Sequence, residues 1–338
     1  MRLAFVGQEE YFGCHVERDL DNLYNTKFFQ LRFGATKQYY KELIEFNPDI
    51  TIVFRGELMD AETLSDLNGT KIGYSTEPSP KIIEGRLEYT RDSLGRFKTV
   101  LGIFDKPYDY IFHYDEASRS FFESQGLFFS GYAPLPIATE TYVPLPIERS
   151  RGILFFGRST EHREGILGPL KRDFDVLHLA HGWPGGTAHE ISEFNTFVAR
   201  SRVVLNIHAE DEVSWEPRLQ QCLSCGALVI SEPISDNTYL TPDVHYLQAS
   251  GGPAFYDLVR RVMENPSEFA GVARAGRQRV LQTLSSASWF PRFFQNLQQT
   301  GANRFALNSS MLSISELEIM LEFKGFSHLS TYMASRNA

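Results

Sequence analysis

Cysteine is scarce: three residues in a chain of 338, an odd number with no framework of paired spacings. That excludes the disulfide-stapled secreted scaffolds, which depend on several bridges to replace a small core. No apolar stretch approaches the ~18 residues of a membrane-spanning helix. The opening MRLAFVGQEE carries one positive charge and a five-residue apolar run before its acids, too little for the apolar region of a secretory signal. A cytoplasmic protein without stable membrane insertion is expected. Basic residues are outnumbered, with 33 Lys and Arg against 42 Asp and Glu, for a net charge of −9. Holding a phosphate backbone takes a concentrated basic surface, so nucleic acid is not the expected partner. No internal repeat of about 20–50 residues occurs, which removes solenoids and propellers. The G-x-G-x-x-G fingerprint is missing as well: Gly7 is followed by Gln8, Glu9 and Glu10 before Gly13, so a nicotinamide-binding reading lacks its main support.

What is present is an ordinary globular composition, 42% hydrophobic and 22% charged, with a high aromatic share of 27 Phe and 15 Tyr. The length suits two α/β domains at the usual ~100–200 residues each. Short apolar runs alternate with longer helical patterns, the mark of that class. In the first half the strand-like runs are Leu3–Val6, Ile50–Phe54, Lys71–Tyr74 and Tyr110–Phe112, with helical stretches at Gln38–Phe46 and Glu116–Gln125. A proline-rich stretch from Ala133 to Ser150 can neither continue a helix nor sit in a central strand, and reads as an extended linker. A second series follows, with strands at Ile153–Phe156, Asp175–Leu179, Val203–Ile207 and Ala227–Ile230. Its helices are expected near Glu164–Arg172, Thr187–Ala199, Arg218–Ser224, Tyr256–Glu264 and Pro266–Thr283, with two more near Trp289–Gln298 and Ser313–Leu321. Two successive α/β halves create an interdomain cleft, a preferred place for small-molecule sites.

In open parallel sheets ligands bind at the carboxyl ends of the strands, so the polar clusters there are the places to search. In LFFGRSTEHRE an apolar strand runs into Gly157, then Arg158, Ser159 and Thr160, then a helix carrying Arg163. Glycine admits a ligand close to the backbone, the hydroxyls can cap a helix whose free N–H groups attract anions, and the guanidiniums suit phosphate oxygens. The plainer reading is an N-cap with two surface arginines. In LNIHAEDEVSWEPRLQQCLSCGALVISEP, Glu216-Pro217-Arg218 opens a helix that stops at Gly226, and the next strand ends in Ser231-Glu232-Pro233. Glu216 and Gln221 could hydrogen-bond ribose or sugar hydroxyls and Arg218 could meet phosphate; alternatively Glu216 is only a first-turn acid favoured by the helix dipole. Cys222-x-x-Cys225 has no second pair and lies inside a helix, so two small buried thiols are expected. His178 and His181, flanking a Gly-Trp-Pro-Gly-Gly turn, lack a carboxylate partner at set spacing, and no metal site is expected; Trp183–Gly186 could be a loop near a base or sugar. Phe128-Phe129 and Phe293-Phe294 read as core.

The order of the Gly-Arg loop, the strand ending in Asn206-Ile207-His208, Glu216-Pro217-Arg218, the Cys-Gly-Ala turn and Ser231-Glu232 resembles the nucleotide-sugar domain of GT-B glycosyltransferases, in particular the CgeB-like, family 1 or 4-like group. It covers about residues 152–295; the first half matches only in layout. The resemblance implies two Rossmann-like domains facing across a cleft, residues 1–147 on the acceptor side and 151–290 on the donor side, with a C-terminal helical extension over 291–338. It implies transfer of a sugar, hexosyl in type, from a nucleoside diphosphate sugar to a hydroxyl acceptor such as a glycan or glycan precursor, with no metal or other cofactor. Donor contacts are then expected from Gly157, Arg158, Ser159, Thr160, Arg163, His208, Glu216, Arg218 and Gln221, and from Gly7 where the first strand ends. Glu77, in Gly73-Tyr74-Ser75-Thr76-Glu77-Pro78, and His113, in His113-Tyr114-Asp115, compete as the base for the acceptor hydroxyl. One departure is plain: many family 4 enzymes carry two glutamates eight positions apart where this chain has Val213 and Gln221. That keeps open a non-catalytic nucleotide-sugar or glycan binder, and a GT-B-fold sugar-nucleotide epimerase is the other alternative. The extension is expected to pack back across the first domain or to form a homodimer contact.

Overall fold

Parallel strands buried on both faces require unbroken apolar runs, and the chain supplies them at intervals. The computed structural model describes residues 1–300 except 19, 180–187 and 236–237. The expected turn at 182–186, His181 and the helical pattern at 313–321 lie outside the described residues. The described chain divides into two compact units, Met1–Arg32 with the chain from Pro134 onward, and Phe33–Ala133.

In the first unit β1 (Arg2–Gly7) has Leu3 to Val6 fully buried and pairs in parallel with β2 (Asn25–Gln30), from Arg2 opposite Asn25 to Gly7 opposite Gln30. The second unit holds β3 (Ile50–Phe54) and β4 (Thr70–Ser75), then a short antiparallel hairpin of β5 (Lys81–Ile83) and β6 (Arg86–Glu88), then β7 (Tyr110–His113) and β8 (Gly131–Tyr132). Its parallel strands run in the order β3-β4-β7-β8. The helix Arg91–Leu101 begins in a capping box between Thr90 and Ser93 and buries Leu94, Phe97 and Val100. Phe97 meets Phe121 and Phe122 with ring centroids 4.9 and 5.7 Å apart, the centre of this unit's core.

Past β8 the proline-rich stretch forms no helix or named strand, as expected, but it is no solvated linker: Ile137, Ala138 and Tyr142 are buried. The Ile137 and Ala138 N–H groups donate to the Leu284 and Cys14 carbonyls, at 2.9 and 2.8 Å. The same region receives the N-terminal segment. His15 Nδ1 lies 2.6 Å from the Pro136 carbonyl, and the buried Glu17 carboxylate accepts N–H groups of Thr139 and Ala287, both at 2.6 Å.

The second series follows as β9 (Arg151–Phe156), β10 (Val176–Leu179), β11 (Ser201–Asn206), β12 (Val229–Ser231) and β13 (Leu247–Gln248), all parallel in the order β10-β9-β11-β12-β13. Helices Glu161–Asp173, Ala188–Arg200, Pro217–Ser224, Gly251–Glu264, Ala270–Thr283 and Ser286–Thr300 accompany them. This doubly wound order reverses between β9 and β11, and the carboxyl ends of strands at such a switch point are where ligands of open parallel sheets bind. Gly226, at φ +74°, closes the helix Pro217–Ser224 by donating to the Leu223 carbonyl at 2.9 Å. Cys222 and Cys225 are free and buried, and Phe129, Phe293 and Phe294 are core. Phe128 is not: it is 42% exposed, because only one of two adjacent side chains there can face inward.

Candidate functional site

The loop after β9 is shaped by Gly157. Its φ of +145° strains any L side chain, and a Cβ there would sit 3.0 Å from Arg163 Nη1 and 3.2 Å from the Phe155 ring. Its N–H donates to the Leu179 carbonyl at 3.1 Å, and its own carbonyl lies 2.9 Å from His178 Nε2. Thr160 is the N-cap of helix Glu161–Asp173 and accepts the Arg163 N–H at 3.2 Å. The Ser159 hydroxyl is bound to the Glu164 carboxylate, which also pairs with Lys171 at 2.8 Å. Both hydroxyls are therefore engaged within the protein. What the loop presents outward is the exposed Arg158, whose guanidinium has no hydrogen bond or ion pair among the described residues, and the unpaired first-turn N–H groups of the helix.

Behind the loop two guanidiniums lie over the ring of Phe155, each 5.3 Å from its centroid. They are used differently. Arg163 is buried, with Nε donating to the Ile207 and His208 carbonyls and Nη1 to the Arg158 carbonyl, all at 3.1 Å. Burial and the nearby Arg218 charge push its pKa down to about 10, so it stays charged at neutral pH. It ties the β9 loop to the end of β11, with Nε and Nη1 spent on backbone carbonyls. Arg218 is also buried but makes only stretched contacts, Nη1 to the Ile207 carbonyl and Nη2 to Glu216 Oε2, both at 3.4 Å, while Nε has no partner. A buried donor left unmatched costs about 1–3 kcal/mol, so this guanidinium has hydrogen-bonding capacity that the described residues leave unused.

Glu216 stands at the N-cap of helix Pro217–Ser224 without capping it by its side chain. Burial works to raise its pKa, but His208, Arg218 and Arg163 outweigh it and hold the carboxyl down at about 2. Burial opposes charging of His208, yet Glu216, Glu232 and the Pro233 carbonyl prevail and its pKa is raised. His208 Nδ1 lies 3.7 Å from Glu216 and Nε2 lies 2.9 Å from the Pro233 carbonyl. Glu232, after β12, accepts the His208 N–H at 2.6 Å and meets His162 Nε2 at 2.8 Å. Glu232 and His162 were not expected at the site; the carboxylate at the end of a strand, in Ser231-Glu232-Pro233, was the available signal.

The structure thus brings Gly157, Arg158, Arg163, His208, Glu216 and Arg218 together, with the Ser159 and Thr160 backbone. It does not join Gln221 to them by any hydrogen bond: this buried amide donates to Tyr142 Oη at 3.0 Å and reaches Cys14 Sγ at 3.8 Å. Gly7 ends β1, its carbonyl accepting the Leu31 N–H at 2.7 Å.

The two expected bases lie in the second unit. Glu77 is buried with its two carboxylate oxygens in ion pairs to Arg55 and Arg96. Arg55 also pairs with Glu57 at 2.6 Å and adopts a left-handed backbone, φ 60°. Two guanidiniums beside one buried carboxylate favour its ionised form and hold it in place. His113 is fully buried among the rings of Phe122, Phe129 and Tyr132, with Nδ1 accepting the Asp115 N–H at 3.0 Å. Burial, against the opposing Asp115 charge, pushes its pKa down to about 4, and it is a neutral core histidine. Among the described residues no group of three or more His, Cys, Asp and Glu side chains is placed to hold a metal ion, and no helix is long and apolar enough to cross a membrane.

Two α/β units built on parallel sheets, one carrying this Arg–Glu cluster at its switch point, match the GT-B fold. Solved structures of GT-B glycosyltransferases match most of the chain. Sucrose-phosphate synthase from Thermosynechococcus elongatus matches with a TM-score of 0.58 at 10% identity, over 88% of this chain and 98% of its own. Anabaena HepE in complex with UDP-glucose gives 0.58 at 10% identity, over 88% and 100%. A glycosyltransferase from Rickettsia africae gives 0.56 at 10% identity, over 88% and 98%. At the level of family, residues 157–295 match the model described as glycosyl transferase-like, which is the segment holding the whole Arg–Glu cluster. No curated protein sequence matches the chain, and the narrower CgeB-like resemblance stays an expectation.

Proposed function

We propose that the protein is a metal-independent glycosyltransferase that moves a hexosyl group from a nucleoside diphosphate sugar to a hydroxyl acceptor, a glycan or glycan precursor. The observation that carries this reading is Arg218, a buried guanidinium with an unmatched N–H at the switch point of a nucleotide-type sheet. Arg218, Arg158 and the first-turn N–H groups of helix Glu161–Asp173 meet the diphosphate and stabilise the charge that develops on it as it leaves. Glu216, held as a carboxylate beside them, accepts hydroxyls of the ribose or donor sugar, with Glu232 fixing the His208 backbone next to it. With Glu77 and His113 both committed internally, the departing phosphate oxygen takes the acceptor proton. The acceptor oxygen bonds to the anomeric carbon as the carbon–oxygen bond to phosphate breaks, the route of a configuration-retaining transfer. HepE, solved with UDP and with UDP-glucose, makes a uridine donor the first to test.

A thermal-shift screen with UDP, GDP, ADP and TDP and their sugar conjugates tests the reading. A ligand at ~100 times its Kd adds about 2.7 kcal/mol of apparent stability, and a response to one diphosphate that persists in EDTA is expected. A flat screen would reduce the relationship to one of fold.

A further inference from the structure

The first unit holds a cavity of about 510 Å³ lined by Arg149, Arg202, Arg274 and Arg277 over an apolar floor that includes Leu228 and Phe269. The volume is that of an ordinary small-molecule site. Its lining contains no acidic residue, in a chain whose net charge is −9. Two of the arginines are anchored to backbone. Arg149 donates to the Ser201 and Gly226 carbonyls at 2.7 and 3.0 Å, and Arg277 Nε to the Ser224 carbonyl at 3.1 Å. The other two, Arg202 and Arg274, are exposed and make no hydrogen bond or ion pair among the described residues. That differs from the neighbouring helix Gly251–Glu264, where Arg260 and Arg261 are matched by Asp257, Glu264 and Glu268.

This cavity is separate from the donor cluster. Arg202 is the second residue of β11 and Leu228 directly precedes β12, whereas His208 and Glu232 follow the opposite ends of the same strands. From Arg202 to His208 the chain rises ~20 Å at about 3.3 Å per residue. Arginine forks with spare N–H groups bind phosphate, sulfonate or carboxylate oxygens, and the floor adds area that a bare inorganic ion would not use.

The geometry points to a binding site for a soluble single-chain amphiphilic anion, its acidic head held by Arg202 and Arg274 and its apolar body on the Leu228–Phe269 floor. The probe is n-octyl phosphate below its micellar concentration, titrated calorimetrically into the full chain, with inorganic phosphate and n-octyl glucoside as controls. Octyl phosphate is expected to bind at least tenfold more tightly than either control. The double variant R202Q/R274Q, and separately A273F, which fills the floor from its lining position, should each lose at least tenfold in affinity. Both should keep the wild-type far-ultraviolet circular dichroism. Two results overturn the proposal: octyl phosphate binding no tighter than inorganic phosphate, or the double variant binding it as the wild type does. Arginine-dependent co-sedimentation with vesicles containing phosphatidic acid would overturn the soluble ligand in favour of a bilayer lipid, and none is expected.

Discussion

Replacing Arg218 with Met tests the site at the point where folding and binding make opposite demands. In the free protein the guanidinium holds two contacts at 3.4 Å, outside the ~2.7–3.2 Å of a good N–H···O bond. It also lies buried beside Arg163, whose pKa it helps to lower. Its removal leaves Glu216 still facing His208, and a Met stem keeps much of the packing over Phe155. With His208 left to face Glu216, the stability loss should stay below the ~3–5 kcal/mol that stripping one partner from a buried pair costs. With a diphosphate bound the same group makes charge-assisted hydrogen bonds worth about 1.5–3 kcal/mol, so Arg218→Met should weaken UDP binding by roughly 10- to 150-fold. Calorimetric titration with UDP at neutral pH reads the affinity, and urea unfolding of the free protein reads the stability. A Kd within threefold of wild type, together with a loss of more than ~3 kcal/mol in stability, would show that Arg218 is a strut like Arg163 and would refute the argument.

Gly157→Ala should destabilise the fold by about 1–3 kcal/mol through its left-handed backbone and the 3.0 Å approach to Arg163, and UDP binding should fall with it; an unchanged urea midpoint would count against the strain. His15 and His113 are both held neutral by burial with pKa near 4, below the ordinary 6.5. Their contribution is complete above about pH 6.5 and is lost as the pH falls toward 4, because the unfolded chain takes the proton first, each by up to roughly 3 kcal/mol. His113→Phe should flatten part of that slope in urea unfolding across this range, and a slope equal to wild type would contradict it. Glu77→Gln should cost about 1–3 kcal/mol of stability while leaving kcat within a few-fold, measured as UDP release. A loss near 100-fold, as for a general base, would restore Glu77 to the chemistry. EDTA should leave turnover unchanged; recovery only on added divalent metal would defeat the metal-independent reading.

Strands such as β9 and β11 were legible because a strand covered on both faces writes itself as an apolar run, GILFF or VVLN. The start of helix Pro217–Ser224 was legible because proline suits the first helical position. β2, with the sequence NTKFFQ, was not, since among its six residues only Phe29 is buried. Helix Arg91–Leu101 carried its capping signal at Thr90 and Ser93, but Gly95 and four charged residues obscured the buried Leu94-Phe97-Val100 stripe. At the site, Arg158 and Arg163 look equivalent as letters. Burial beneath Gly157 separates them, leaving one exposed and turning the other toward carbonyls. The carboxylate of Glu232 was visible after its strand, but its partners His208 and His162 lie 24 and 70 positions away, a distance that local pattern does not carry.

The buried Glu17 has a consequence for the order in which the protein is made. Its carboxylate accepts the N–H of Ala287, and its own N–H donates to the Ser286 hydroxyl, partners 270 and 269 positions later in the chain. At about 5–20 residues per second of synthesis, the N-terminal segment waits roughly 15–50 s on the ribosome before those partners exist. β1 and β2 must be held out of misassembly through that interval, while Phe33–Ala133, whose own strands and helices lie close in sequence, can condense during it. Chaperone dependence should therefore fall on the first 32 residues, and a circular permutant that supplies them after position 300 would shorten the wait.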